Sequence, residues 1–360
     1  MRLIGQASCL RHWGILGILA LLLTQCGPSQ PARVVPVYGL SILGESWALR
    51  ATQGARLRNE AIYVRSIYGF DKLGQKQTYV EGQDWLFADG AIRRTAESRI
   101  PDFSGYQFHA DIDGRFEFSS SPRNPGLILG YQIYVDYRST RPDRLIHALC
   151  QGPIPRSILC VGDSITAGAQ TIGEQAYGDD RDSYCGLLRR YLGAGFLVKN
   201  SSVVGGVLET FRANLDAYLV DPPQAVIIGF GMNDHLVGSQ GLAEFTQSLS
   251  EVVARLRAHQ VRVILMGFFQ QNKLWTREAP VETVAYNHAI QSVAAECQVP
   301  FVDVYEVFQG IATERDLVDH LTADFMHHPN NYGQRVYFSL LVPYFMAEDA
   351  MVSSIDGFIP

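Results

Sequence analysis

The chain has 360 residues, 47% hydrophobic and 18% charged, with a formal net charge of −6 at neutral pH. That length and balance describe a globular protein of two domains with a sizeable core. The acidic balance, with no basic stripe and no RNA-binding motif, excludes a nucleic-acid surface.

The first element is a targeting segment, predicted as a signal peptide over residues 1–26. Arg2 and Arg11 supply positive charge, and Trp13 to Leu23 forms an apolar core too short to span a bilayer in the usual way. Leu23-Thr24-Gln25-Cys26 resembles the lipobox of bacterial lipoproteins, which implies a membrane tether through a lipidated Cys26. Gln25 stands where that pattern asks for a small residue, so plain cleavage nearby is the alternative. Either way the expected location is outside the cytoplasm: periplasmic, on the outer membrane, or extracellular. Residues 27–35 read as a tether. Export permits disulfides among Cys150, Cys160, Cys185 and Cys297. Cys160 lies in an apolar run, where a free buried thiol is the commoner state.

Residues 34–150 read as a small β-rich, sandwich-like domain. Short β-type runs (Ala61–Val64, Thr78–Val80, Ala91–Arg94, Ile133–Tyr137) are split by Gly, Asp and Pro, and none has helical periodicity. Asp89-Gly90 between two runs predicts a hairpin. The aromatics Tyr79, Trp85, Tyr106, Phe108, Tyr131 and Tyr134 are read as core, with a sugar-stacking platform as the alternative.

From 153 to 360 strands and helices alternate. Strands are predicted at Ser157–Val161, Phe196–Lys199, Ala225–Phe230, Val261–Gly267 and Phe301–Val304. Helices are predicted at Ser183–Leu192, Leu208–Leu219, Leu242–His259, Glu282–Cys297 and Gly333–Phe345. Such alternation implies right-handed βαβ units and a parallel sheet covered on both faces.

The loops after these strands carry the chemistry. They are Gly162-Asp163-Ser164, Asn200 to Gly206, Gly231-Met232-Asn233-Asp234, and Asp324-Phe325-Met326-His327-His328-Pro329-Asn330. In a parallel sheet they converge on one edge. Acyl transfer needs a nucleophile, a base, a group that orients the base, and oxyanion donors. Ser164 supplies the hydroxyl, a histidine of the last loop the base, and Asp324 the orienting carboxylate. The Ser164 N–H, the Gly205 N–H and the Asn233 amide supply the oxyanion donors.

These four blocks, in this order, resemble the SGNH hydrolase family, also called GDSL esterases, over roughly residues 155–348. The resemblance implies a flavodoxin-like three-layer α/β sandwich with a parallel sheet, preceded here by the β-rich domain. It implies a serine esterase working through an acyl-enzyme, with no metal or organic cofactor. The family places Asp three residues before its histidine, and that histidine before Pro. Here the two rules split. Asp324 and His327 satisfy the first, while His328-Pro329 satisfies the second. The distance to Gly333 also favours His328, with His327 kept as the alternative base. Asp163 is read as a turn or cap residue, His235 as a surface or pocket-rim residue, and His288 as helix packing.

A β-rich domain ahead of such a catalytic domain resembles the layout of some carbohydrate acetylesterases, which implies O-acetyl groups on a glycan as substrate. A lipid esterase of the lysophospholipase or thioesterase kind is a second reading, with Phe268, Phe269 and Leu274 lining an acyl groove. Acetyl transfer onto a polysaccharide is a third, and a binding module with a decayed catalytic site is a reading from another class.

Overall fold

The structure is a computed structural model that describes residues 34–35, 41–58, 60–71, 73–105, 128–139, 146–147, 153–312, 321–324 and 326–345. The signal segment, Cys26, Cys150, Tyr106 and Phe108 lie outside the described residues.

The β-rich region contains β1 (Val34–Val35), β2 (Ser41–Ala48), β3 (Ala55–Arg56), β4 (Ala61–Phe70), β5 (Lys76–Tyr79), β6 (Trp85–Ala88), β7 (Ala91–Arg94), β8 (Gln132–Ser139) and β9 (Ile146–His147). Among the described residues three antiparallel sheets form, in the orders β2-β8-β4-β5, β3-β7-β6 and β1-β9. Val34 and Val35, where the expected tether and the expected β-rich domain overlap, pair with His147 and Ile146. Asp89 and Gly90 have φ of 54° and 72° and close the β6–β7 hairpin, the geometry a two-residue primed turn requires. Leu49, Ile67, Tyr79, Trp85, Ile92, Ile133 and Val135 share a core. Tyr79, Trp85 and Tyr134 are buried and form no exposed stacking platform.

The second half builds a five-stranded parallel sheet from β10 (Ser157–Gly162), β11 (Leu197–Asn200), β12 (Ala225–Gly229), β13 (Arg262–Met266) and β14 (Phe301–Val302). Its order is β11-β10-β12-β13-β14. Val226, Ile227, Val263 and Ile264 are fully enclosed, which is why the central strands read as unbroken apolar runs. The helices Tyr184–Leu192 and Asn331–Leu341 pack on each other, as do Leu242–Ala258 and Pro280–Glu296, and the right-handed crossover rule puts the two pairs on opposite faces of the sheet. The chain leaves β10 toward β11, then returns to the other side for β12. That reversal opens a crevice at the carboxyl ends of β10 and β12.

Three predicted elements differ. The helix expected over Leu208–Leu219 is two short helices, Leu208–Arg212 and Leu215–Leu219, broken at Asn214, whose side chain bonds back to the Thr210 carbonyl at 2.8 Å. The strand expected to reach Val304 stops at Val302. Asp303 then accepts the Glu306 N–H at 2.9 Å at the start of a helix over Val304–Ala312. The closing helix ends at Leu341, and Pro343 sits in the short 3₁₀ turn that follows.

The β-rich region packs against the loop-bearing end of the parallel sheet. Tyr68 and Tyr134 join the main core, and Ala48, Phe103 and Ile128 pack with Trp275 and Met326. Near the crevice, Gly168 ends the helix Ser164–Ala167 in the left-handed region, at φ +79°, and a Cβ there would lie 2.7 Å from the Ser183 Cβ. Backbone strain and overlap both act against a side chain. Gly168→Ala is therefore expected to lower the unfolding free energy by about 1–3 kcal/mol with an unchanged denaturant slope, as urea unfolding would measure. Wild-type stability in that variant would remove the constraint assigned to Gly168.

Candidate active site

Ser164 follows β10 through a one-residue turn. Asp163 caps its short helix by accepting the Ile165 N–H at 2.9 Å. Three side chains brace that helix. Asn200 donates to the Thr166 carbonyl at 2.8 Å, the Tyr184 hydroxyl to the Thr166 hydroxyl at 2.8 Å, and Gln334 to the Ile165 carbonyl at 2.8 Å. Gln334 also accepts the Tyr184 N–H at 2.9 Å, tying the closing helix to the serine helix. The serine hydroxyl is thereby held on rigid elements and nearly buried, with Ser164 3% exposed.

The last loop brings its histidines to that hydroxyl. His328 Nε2 lies 3.0 Å from Ser164 Oγ, and His328 Nδ1 lies 2.6 Å from Asp324 Oδ2. Nδ1–H donates to the carboxylate, which leaves Nε2 to accept the serine proton. The other oxygen, Oδ1, accepts the backbone N–H groups of Met326, His327 and His328 at 2.9, 3.1 and 3.2 Å. The loop curls around one carboxylate oxygen, and this absorbs the extra residue between Asp324 and His328. His327 turns away from Ser164. Its ring lies 5.1 Å from Trp275 and 4.3 Å from the His328 ring, centroid to centroid, and its buried Nδ1 has no hydrogen-bond partner.

Electrostatics separate the two histidines. Burial lowers the His328 pKa, but the Asp324 charge and hydrogen bond outweigh it, with smaller help from Asp163 and Glu174, so the ring is held above its usual value. Burial also penalises the Asp324 anion, yet its attraction to His328 and His327 and the backbone donors hold it below the ordinary value. His327 is pushed down to about 3 by burial and by the His328 charge. Asp163 is pushed up to about 7, and Asp234 to about 6, in each case mainly by burial.

The remaining loops close the crevice. Gly205 has φ +75° and is exposed. Asn233 Nδ2 donates to the Gly206 carbonyl at 3.0 Å and so joins the second and third loops. Asp234 holds the third loop by accepting the Leu208 and Gly231 N–H groups at 2.9 and 3.0 Å. His235, expected at the surface or pocket rim, is fully buried. Its Nδ1–H donates to the Gly231 carbonyl at 3.1 Å, and its Nε2 accepts from Gln271. His288, expected to pack, is exposed. Phe269 stacks on Phe308 in the core at 4.5 Å and cannot line a groove. Cys160 and Cys185 are free, buried and adjacent, and Cys297 is also free. Among the described residues no His, Cys, Asp and Glu cluster is arranged to hold a metal.

Sequence reasoning did not find Gln334, Asp234 as a loop anchor, or Trp275 against His327. Asn330 caps the closing helix by accepting the Gly333 N–H at 2.9 Å, and that role was open to a capping search. For Gln334 and Trp275 nothing local signals the role, because their partners lie far away in sequence.

The titration order is testable by imidazole NMR. His328 is expected to protonate with a midpoint above 6.5, and Asp324→Asn should lower that midpoint, since burial then loses its main opponent. The raised pKa means that the pair stabilises the fold fully below pH 6.5 and loses that contribution as pH rises through the His328 midpoint. His327 should stay neutral down to about pH 3. A His327 that titrates near neutrality would overturn this order.

Residues 160–336 match the family model described as GDSL-like Lipase/Acylhydrolase family. Among solved structures, the chain is similar to TesA, at 26% identity and a TM-score of 0.42, over 52% of this chain and 96% of that one. It is also similar to LAE5, an alpha/beta hydrolase enzyme from the metagenome of Lake Arreo, Spain, at 21% identity and a TM-score of 0.44, over 53% and 95% of the two chains. A third is a catalytic mutant of Axe2, an acetylxylan esterase from Geobacillus stearothermophilus, at 20% identity and a TM-score of 0.44, over 56% and 98%. No curated protein matches the chain at a significant level. The parallel-sheet half of this chain, over residues 160–336, is similar to the GDSL-like lipase/acylhydrolase family, and that similarity supports a carboxylic ester hydrolase.

Proposed function

We propose that the protein is an exported serine esterase that removes O-acetyl groups from a carbohydrate through an acyl-enzyme. The observation that carries the mechanism is the hydrogen-bonded chain from Ser164 Oγ through His328 to Asp324, at 3.0 and 2.6 Å. Ser164 Oγ attacks the ester carbonyl while His328 Nε2 takes its proton. Asp324 fixes the tautomer and stabilises the imidazolium. The tetrahedral oxyanion accepts from the Ser164 and Gly205 N–H groups and from Asn233. The Asn233 amide has two N–H groups, so one can hold Gly206 while the other faces the oxyanion. Collapse expels the alcohol, which takes the proton back from His328. Water then repeats the sequence and releases the acid.

The acetyl-carbohydrate substrate is supported by the layout of a β-rich region ahead of the catalytic half. Export is supported by the charged and apolar pattern of residues 2–23 and by Cys26. A specific observation favours the lipid reading as the second choice. Val203 and Val204 on the second loop and Leu236 and Val237 just after the third are exposed, and the Asn233–Gly206 bond joins these two loops. An apolar rim of this kind suits a longer acyl chain.

Ser164→Ala is expected to abolish ester hydrolysis and labelling by a fluorophosphonate; retained turnover would sink the assignment. Asn233→Ala should lower kcat by about 10²–10³ with the melting temperature kept, and a parallel collapse of both would make Asn233 structural instead. A panel of p-nitrophenyl esters from acetate to palmitate, run beside acetylated xylan, separates the substrates. Acetate preference with release from xylan is expected, and a maximum at long chains would replace the acetyl reading with the lipid one.

A further inference from the structure

We infer that Gln132, which belongs to the β-rich region, is a positioning residue for the His328 base, so that the β-rich region completes the active site. The inference rests on the assignment of Ser164, His328 and Asp324 above.

The loop that carries Asp324 and His328 is pinched shut at its base. Ala323 N–H donates to the His328 carbonyl at 2.8 Å, Asn330 N–H donates to the Leu321 carbonyl at 2.9 Å, and Thr322 pairs with Pro329. This pairing leaves the carbonyls of Thr322 and Ala323, immediately before Asp324, to find donors elsewhere. Both donors come from the β-rich region. Gln132 Nε2 donates to the Thr322 carbonyl at 2.7 Å, and Ile128 N–H donates to the Ala323 carbonyl at 2.9 Å. The same Gln132 amide accepts from Asn330 Nδ2 at 2.9 Å through its oxygen. One side chain therefore clasps both ends of the loop, 190 and 198 residues away in sequence. Asn330 Nδ2 also donates to Ser46 Oγ at 3.1 Å. The mounting is rigid. Gln132 opens β8, which is paired on one side with β2 and on the other with β4, and Ser46 lies on β2. Gln132, Ser46, Thr322 and Asn330 are all buried.

The consequence is geometric. An irregular loop left to itself is mobile. A catalytic group displaced by about 1 Å can cost about 10²-fold in rate, even when the cause lies away from the chemistry. A carbohydrate-binding module has no need of a buried amide facing the catalytic loop. A jig for the loop does, because the clasp fixes Asp324 and Asn330 at either end of the segment that presents His328. The groups that set the charge state of His328 are Asp324 and His327 on its own loop, Asp163 before the serine helix, and Glu174 on the segment 173–177. Loosening the clasp weakens the Asp324 contact first, because that contact depends on the curl of the loop.

The test uses the full chain with p-nitrophenyl acetate. Gln132→Leu keeps most of the volume and removes both bonds. Gln132→Glu keeps the acceptor and loses the donor to Thr322. Both are expected to lower kcat by about 10²-fold with KM nearly unchanged, and to move the acid limb of the kcat profile to lower pH as the influence of Asp324 weakens. A merely structural role would reduce activity in step with the folded fraction and leave the limb where it was, and that outcome overturns the inference. So does wild-type kcat with an unmoved limb. If neither variant folds, Ser46→Ala, which removes the bond from Asn330 and leaves Gln132 in place, decides the matter. A limb shifted in the same direction supports the inference, and an unmoved limb overturns it. Ser164→Ala keeps the two readings distinguishable. Retained activity there sinks the esterase assignment, while an inactive Ser164→Ala beside unaffected Gln132 variants sinks only the positioning role.

Discussion

The site depends on one buried carboxylate with two differently occupied oxygens. Asp324 Oδ1 gathers three consecutive backbone N–H groups, and Oδ2 faces His328 Nδ1. A buried anion is costly without partners, and here backbone dipoles and an imidazole satisfy it together. The same contacts do two jobs. They set the shape of the loop, and they set which histidine turns to Ser164. Because the loop is wound on Asp324, the fourth residue after it, His328, faces the serine while the third, His327, is carried round to Trp275.

Around that anion the molecule separates charge states. His328 is held above its usual pKa and His327 pushed down to about 3, although the two rings touch. A neutral His327 against the base adds no competing positive charge when His328 takes up a proton. Asp163 and Asp234, pushed up to about 7 and about 6, make weaker anions beside the site than their residue type suggests. Asp163 caps the serine helix and Asp234 anchors the Asn233 loop, so each accepts backbone N–H groups on behalf of a neighbour that faces the crevice. The chemistry is thereby concentrated on few side chains, and the rest supply position.

The parallel sheet brings three of the four loops to its edge by topology alone. The fourth is different: it follows no strand of the sheet directly and lies between Val304–Ala312 and the closing helix. Its anchors come instead from both sides, Asn330 from the cap of the closing helix, and Gln132, Ile128 and Ser46 from the antiparallel region. That arrangement explains why the two halves share a buried polar seam and not only apolar contact. The Thr322 and Ala323 carbonyls and the Gln132 and Asn330 amides at the seam have partners, as low-dielectric surroundings demand.

By itself the sequence determined the parallel sheet and the four loops. Unbroken apolar runs such as Ala225 to Ile228 have no other stable home than a strand covered on both faces, and Gly-Asp-Ser, Asn233-Asp234 and the tandem histidines mark the turns that follow. The hairpin at Asp89-Gly90 was equally local, since only small or Asx residues accept positive φ in succession. The break at Asn214 and the helix after Asp303 were not legible, because side-chain bonds of one or two residues decided them against a continuing apolar pattern. Which histidine meets Ser164 was argued from Pro329 and Gly333, but the deciding force, three N–H groups closing on Asp324 Oδ1, exists only once the loop is folded. The burial of His235, the exposure of His288 and the clasp of Gln132 on Thr322 and Asn330 belong wholly to the tertiary structure. Each depends on partners brought together by packing, and no local pattern of residues encodes a hydrogen bond spanning 190 positions.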